Sequence, residues 1–190
     1  MTKTLLPRAL ALVGMPGSGK SSCALYLEQQ GFFQFRFGGI VQGEVERRGW
    51  AVNPENERIV REELRATHGM AAMAVLAMPR LQAALAEHPH IVIDGLYSWS
   101  EYKLLQEELG AELIVVAITC TRSIRYARLA KRRDRPLTRE EAISRDWSEI
   151  EKLEKGGPIA IADYSLSNDG TTDELIAQLV TLLSSLTFTP

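Results

Sequence analysis

The octapeptide Gly14-Met15-Pro16-Gly17-Ser18-Gly19-Lys20-Ser21 is the strongest constraint on what this chain can become. It satisfies G-x-x-x-x-G-K-[ST] at every defined position. The pattern needs glycine where backbone N–H groups must close around a phosphate with no side chain intruding. It needs a lysine to reach outer phosphates and a hydroxyl residue to ligate Mg²⁺. An apolar strand pattern over residues 9–13 precedes it, and a helical pattern carrying Cys23, Ala24 and Leu27 follows. A helix that starts near Lys20 aims its N-terminal dipole at the same anion. The eight loop residues, with Ser22 behind them, are therefore the expected nucleotide site, Lys20 its catalytic cation and Ser21 a metal ligand.

With 190 residues and 45% apolar content, the chain is expected to form one α/β domain spanning 1–190. Apolar runs at 9–13, 32–37, 91–93, 113–119 and 159–166 read as strands, and the continuous ones as strands covered on both faces. Helical patterns fall at 20–30, 54–67, 70–87, 99–109, 123–132, 139–155 and 172–186, the third expected to kink or break at Pro79. Strands alternating with helices imply a parallel sheet. Ser98 with Glu101, and Thr138 with Glu141, have the spacing of helix capping boxes.

A net charge of −2 and a pI near 6.0 give no overall basic field for nucleic acid or an anionic membrane. No run is long enough to span a bilayer, and the run at 5–13 leads into the glycine motif rather than a cleavage site. Cys23 and Cys120 lack CxxC spacing and read as reduced thiols in a cytoplasmic protein. His68, His88 and His90 have no ligand spacing with other metal-binding residues.

Asp94 ends the strand at 91–93, and in an open α/β sheet ligands bind beyond the carboxyl ends of strands. It is the candidate second metal ligand and the candidate base. Residues 122–139 carry eight Lys/Arg against one acid. Arg122, Arg125 and Arg128 recur at helical spacing and in part suit a solvated face. Arg132, Arg133 and Arg135 are the candidate lid contacts, stabilising charge on a migrating phosphoryl group.

The whole arrangement resembles the adenylate-kinase-like and dephospho-CoA-kinase-like P-loop kinases, and most of all a small kinase-like branch first described in archaea. The residues that carry the resemblance are 14–21, Val92-Ile93-Asp94-Gly95, the basic segment, Ser144-Arg145-Asp146, and 161–170 with Asp163, Asn168 and Gly170. It implies a three-layer α/β/α P-loop NTP hydrolase fold with a five-stranded parallel sheet of order 2-3-1-4-5. A helical acceptor-side insert at about 38–88 and an Arg-rich lid at about 130–138 go with it. Asn168 and Gly170 then stand near the adenine of ATP. Where such kinases carry Gly-Asp and an Arg after the second strand, this chain has Gly39 and Gln42. Tyr97 stands where the branch tends to have Arg in its Asp-Gly-x-Arg segment. Arg36, Gly39, Gln42, Tyr97 and Arg145 are the expected acceptor contacts, with Arg47, Arg48, Arg61 and Arg65 in the same region and Trp50 and Trp99 as stacking faces.

The expectation is a phosphotransferase that moves the γ-phosphoryl of Mg²⁺–ATP to a small nucleotide-like acceptor. It has no nucleic-acid or membrane partner and is a monomer or homodimer. The alternative is a P-loop NTPase or nucleotide-responsive regulator with no small-molecule acceptor.

Overall fold

The computed structural model describes residues 6–133 and 136–190. Strands β1 (Arg8–Val13), β2 (Phe33–Arg36), β3 (His90–Asp94), β4 (Glu112–Thr119) and β5 (Tyr164–Ser167) form one sheet in the order β2-β3-β1-β4-β5. Every pairing is parallel, with Leu12 of β1 opposite Asp94 on one side and Val116 on the other. The helices are α1 (Lys20–Gln29), α2 (Gly38–Arg47), α3 (Pro54–His68), α4 (Ala72–Glu87), α5 (Trp99–Glu108), α6 (Arg122–Ala130), α7 (Arg139–Glu151), α8 (Gly156–Ala160) and α9 (Thr172–Ser185).

The strand period of two divides the core. Ala9, Ala11 and Val13 of β1 join Val45, Leu81 and Leu105 from α2, α4 and α5. Leu10 and Leu12 face the other way, onto Cys23 and Leu27 of α1 and Leu175 and Leu179 of α9. Helices thus cover both faces, which is why β1 and β4 read as unbroken apolar runs. The carboxyl ends of β1, β2 and β3 open together onto the phosphate loop, Asp94 and the start of α2.

Both expected capping boxes are present, and a third joins Thr171 to Glu174 at the start of α9. Three elements differ from expectation. Within the helical insert expected at about 38–88, no separate helical pattern was read at 38–47, yet these residues form α2. Two adjacent glycines disfavour a helix by about 1 kcal/mol each, and burial of Val41 and Val45 overrides them. The expected strand at 159–166 divides, with α8 at its start and β5 only from Tyr164. Asp163 Oδ2 accepts the amide of Val115 at 2.8 Å, so a side chain takes the ladder position just before pairing begins. Pro79 does not interrupt α4, which runs unbroken from Ala72 to Glu87.

Among the described residues no single helix is long and apolar enough to cross a membrane. The pair α3 and α4 passes that test only together, across an 83° bend. Seven residues of α4 are buried, in the core between the sheet and its neighbouring helices.

Leu12 is fully buried beside the loop. Leu12→Ala should destabilise the fold by about 2–5 kcal/mol, the usual range for a core leucine. Chemical denaturation measures this, and a loss under about 1 kcal/mol would contradict the packing described.

Candidate active site

The loop leaves β1 at Gly14 and enters α1 at Lys20, with φ of 80° at Gly17 and 103° at Gly19. At Gly17 a Cβ would lie 2.8 Å from Arg125 O, and at Gly19 it would collide with the Asn168 side chain. Only glycine fits either place. The same neighbours anchor the loop. Arg125 Nη1 donates to Pro16 O at 2.9 Å, and Asn168 Nδ2 donates to Ser18 O at 2.7 Å. A trans peptide carries its C=O and N–H on opposite sides. Pinning the Pro16 and Ser18 carbonyls outward therefore turns the amides of Gly17 and Gly19 inward. Among the described residues, the amides of Gly17, Gly19, Lys20 and Ser21 donate no hydrogen bond, which leaves them free for an anion.

Behind the loop, Arg125 grips Asp146 through two bonds, 2.9 and 2.6 Å, and Tyr126 Oη donates to Asp146 Oδ2 at 3.0 Å. Arg125 and Asp146 are both buried. The pair ties α6 to α7 across the basic segment and ties both to the loop. Arg128 continues the brace, donating to Gly170 O at 3.1 Å.

In front of the loop, Lys20 forms an ion pair with Asp94, and Arg36 Nε reaches Asp94 Oδ2 at 3.2 Å. Parallel register places Arg36 directly opposite Asp94, so the contact follows from β2–β3 pairing. Asp94 is 4% exposed, and burying a carboxylate demands such partners. An ammonium has three N–H donors, so Lys20 keeps donors for phosphate oxygens. Hard oxygen donors, the Ser21 hydroxyl and the Asp94 carboxylate, fit Mg²⁺, which takes few protein ligands beside substrate phosphates. Among the described residues no cluster of three or more His, Cys, Asp or Glu forms a closed metal site.

A cavity of about 730 Å³ lies between α2, α3 and α7. Phe37, Val41, Met73 and Leu137 give it apolar walls, and Arg61, Arg65 and Arg145 line it with charge. Tyr97 lines it too, as does Phe37, whose amide donates to Asp94 O at 3.0 Å, so the cavity adjoins the Asp94 side of the loop. Burial raises the Tyr97 pKa and keeps the phenol neutral. Over its ring lies Lys155 Nζ, 4.9 Å from the centroid. Lys155 is buried and forms an ion pair with Glu149, which also accepts from Arg145 Nε at 3.1 Å. Burial lowers the Lys155 pKa, and Glu149 opposes that shift.

Of the expected site residues, the structure brings Lys20, Asp94 and Arg36 together, with Ser21 next to Lys20 at the start of α1, and lines the adjoining cavity with Tyr97 and Arg145. Gly39 and Gln42 are exposed on α2 and do not line the cavity, where Gly38 and Val41 face instead. Asn168 has its amide nitrogen on the loop, so it braces backbone. Arg132 stands in the field of Arg145 and Glu149, with desolvation first and Arg145 second lowering its pKa. Arg133 is exposed, and Arg135 lies outside the described residues. Arg125, Asp146 and Lys155 were not expected at the site. The sequence signals near them were the Ser144-Arg145-Asp146 triplet and the basic segment, where Arg125 was read in part as a solvated face but is buried.

Fold and loop together define a P-loop kinase-like domain. A family model described as AAA domain matches residues 10–161. A UPF0200 protein of Thermococcus gammatolerans is 36% identical over 178 residues, covering 92% of this chain and 93% of its own. Another, from Pyrococcus furiosus, is 35% identical over 180 residues, covering 93% and 96%. The chain belongs to this AAA-domain family and to the UPF0200 proteins. Among solved structures, a Thermus thermophilus protein superposes with a TM-score of 0.65 at 20% identity over 95% of this chain and 98% of its own. Shikimate kinase from Aquifex aeolicus gives 0.53 at 19% over 96% and 99%, and a gluconokinase from Sinorhizobium meliloti 0.53 at 16% over 97% and 98%. At such identities the likeness is one of fold.

Glu101 sits under the Tyr97 turn, fully buried. Its Oε2 accepts the amides of Tyr97 and Ser98 at 2.8 and 3.0 Å, while Oε1 has no partner among the described residues. Burial pushes its pKa from 4.5 to about 7, against the two backbone bonds and the charge of Arg65. The folded protein holds this proton at pH values where the unfolded chain has released it. The resulting stability is full below about pH 4.5 and is lost as pH rises towards about 7, by roughly 2–3 kcal/mol. Glu101→Gln should flatten that loss in urea midpoints measured across the range; an unchanged slope would show that Glu101 is already ionised.

Proposed function

We propose that this protein is an ATP-dependent phosphotransferase that passes the γ-phosphoryl group to a small nucleotide-like acceptor. The observation that carries the reading is the junction of two sites. A loop of inward-facing amides with Lys20 and Asp94 at its mouth opens beside a mononucleotide-sized cavity lined by arginines. The shikimate kinase and gluconokinase among its structural neighbours act on small molecules, as their names say, which favours the same kind of acceptor here.

In this reading the loop amides and the α1 dipole hold the phosphates of ATP. Lys20 leaves Asp94 in part and neutralises charge that builds on the transferring group. Ser21 and Asp94 would hold Mg²⁺, which would supply positive charge against the phosphates. Asp94 also takes the proton where the acceptor presents a hydroxyl. The cavity arginines supply the positive charge that Gln42 and Tyr97 do not. Transfer rests on positioning and electrostatics, with little covalent work for the protein.

A coupled ADP-release assay across nucleoside monophosphates, nucleosides and dephospho-CoA tests this. Release should rise with one acceptor class; release indifferent to every acceptor would establish a plain NTPase instead. Lys20→Ala should lower turnover by about 100-fold or more. Asp94→Asn should cut turnover far more than it weakens binding of a non-hydrolysable ATP analogue, measured by calorimetry. Equal turnover in Asp94→Asn would remove Asp94 from the chemistry.

A further inference from the structure

We infer that residues 186–189, folded over the amino ends of β1 and β3, form a latch that opens when His90 takes up a proton. The latch lies at the opposite end of β1 from the phosphate loop, so it stands independently of the phosphotransfer reading.

Parallel register sets Arg8 beside His90 at the start of both strands. Arg8 grips the segment and the imidazole together. Its Nη1 donates to Leu186 O at 2.6 Å and its Nη2 to Thr187 O at 2.9 Å. Nη2 and Nε also donate to His90 Nε2, at 2.8 and 3.2 Å. A guanidinium has no acceptor atom, so His90 Nε2 must present its lone pair. The ring proton of neutral His90 therefore sits on Nδ1, which donates to Thr189 O at 2.7 Å. Thr189 N lies 3.1 Å from the same nitrogen, and the lone pair required at Nε2 decides that Nδ1 is the donor. Between these contacts Phe188 is buried, its ring stacked on Phe32 at 5.5 Å and on His90 at 4.5 Å between centroids. One imidazole thus holds Arg8 with one nitrogen and the segment with the other.

A proton on Nε2 turns that acceptor into a donor and sets an imidazolium against a guanidinium. Arg8 must then leave His90, and the same side chain holds Leu186 and Thr187. Thr187 adds strain that favours opening, because it is a β-branched residue at φ 51° whose surroundings must hold it there. Arg8 is the charged group that faces His90. Glu112 is the register partner of Arg8 on the other side of β1. Glu87 and His88 precede His90 in the chain, and His88 stacks on Phe33. Tyr26 of α1 lines one small cleft with Phe188 and Thr189. Residues 182–190 carry no titratable side chain. Among the described residues no carboxylate forms an ion pair with Arg8 or His90 that would offset the added charge.

The test uses the full chain. Long-range ¹H–¹⁵N NMR at about pH 8, where imidazole is neutral, should find the His90 ring proton on Nδ1. Hydrogen exchange of the amides of residues 186–189, read by mass spectrometry and corrected for intrinsic rates, is then compared at about pH 8 and about pH 5. Protection should fall about tenfold or more at the lower pH, the loss of one charged hydrogen bond. Arg8→Gln should expose the segment at both values. His90→Gln, whose side chain does not titrate, should make the exchange independent of pH across this span, and His68→Gln should behave as the wild type. Three results would overturn the inference: a ring proton on Nε2 at the higher pH, equal protection at the two values in the wild type, or acid opening that persists in His90→Gln. The first two need no variant to fold. Glu101 does not mimic the opening, because its contribution to stability grows as pH falls.

Discussion

The phosphate loop depends on two side chains that never need to touch a ligand. Arg125 and Asn168 hold the carbonyls of Pro16 and Ser18 outward, and peptide planarity turns the adjoining amides inward. A loop of glycines has many conformations, and conformational entropy opposes holding one of them. The brace selects the one that suits an anion before any anion arrives. Arg125 itself is held by Asp146 and Tyr126, so the junction of α6 and α7 is part of the loop's foundation.

Around that foundation the charges are sorted by function. Arg125 with Asp146, and Lys155 with Glu149, are buried and internally paired. Breaking such a pair leaves an uncompensated buried charge, so each fixes geometry more than it adds stability. Lys20 and Arg36 share one carboxylate, Asp94, and retain donors beyond it. Among the described residues Arg61 and Arg65 make no ion pair within 4.0 Å, and Arg65 lies only in the wider field of Glu101 and Glu154. Charge satisfied by the protein gives way, along a line from α6 to α3, to charge left for something else. The acidic body of the chain makes this local cationic wall easier to address by a small anion than by a polymer.

Much of the fold was legible along the chain. The glycine–lysine motif between an apolar run and a helical pattern located β1, the loop and α1. Runs at 91–93 and 113–119 located β3 and β4 within a residue or two. What misled was local. Gly38 and Gly39 hid α2, because propensity is a weak signal once Val41 and Val45 have a core to enter. Asp163 replaced a ladder bond and shortened β5.

Lys20, Ser21 and Asp94 could be singled out from the sequence alone, because they stand in a spacing of a few residues or at the end of a strand, and the structure pairs Lys20 with Asp94. The α/β class followed from the alternation of apolar and amphipathic segments, which sets what can pack on what. Only tertiary structure brought Arg125 to Asp146, 21 residues apart, and Asn168 to Ser18, 150 apart. Only tertiary structure put Lys155 beside Glu149. Residues six apart do not meet on a straight helix, and they meet here because α7 ends and Glu154 turns back at φ 55°. Spacing encodes contacts within one turn or one strand pair. Contacts made across a folded chain depend on where every other element lies, and no local pattern records that.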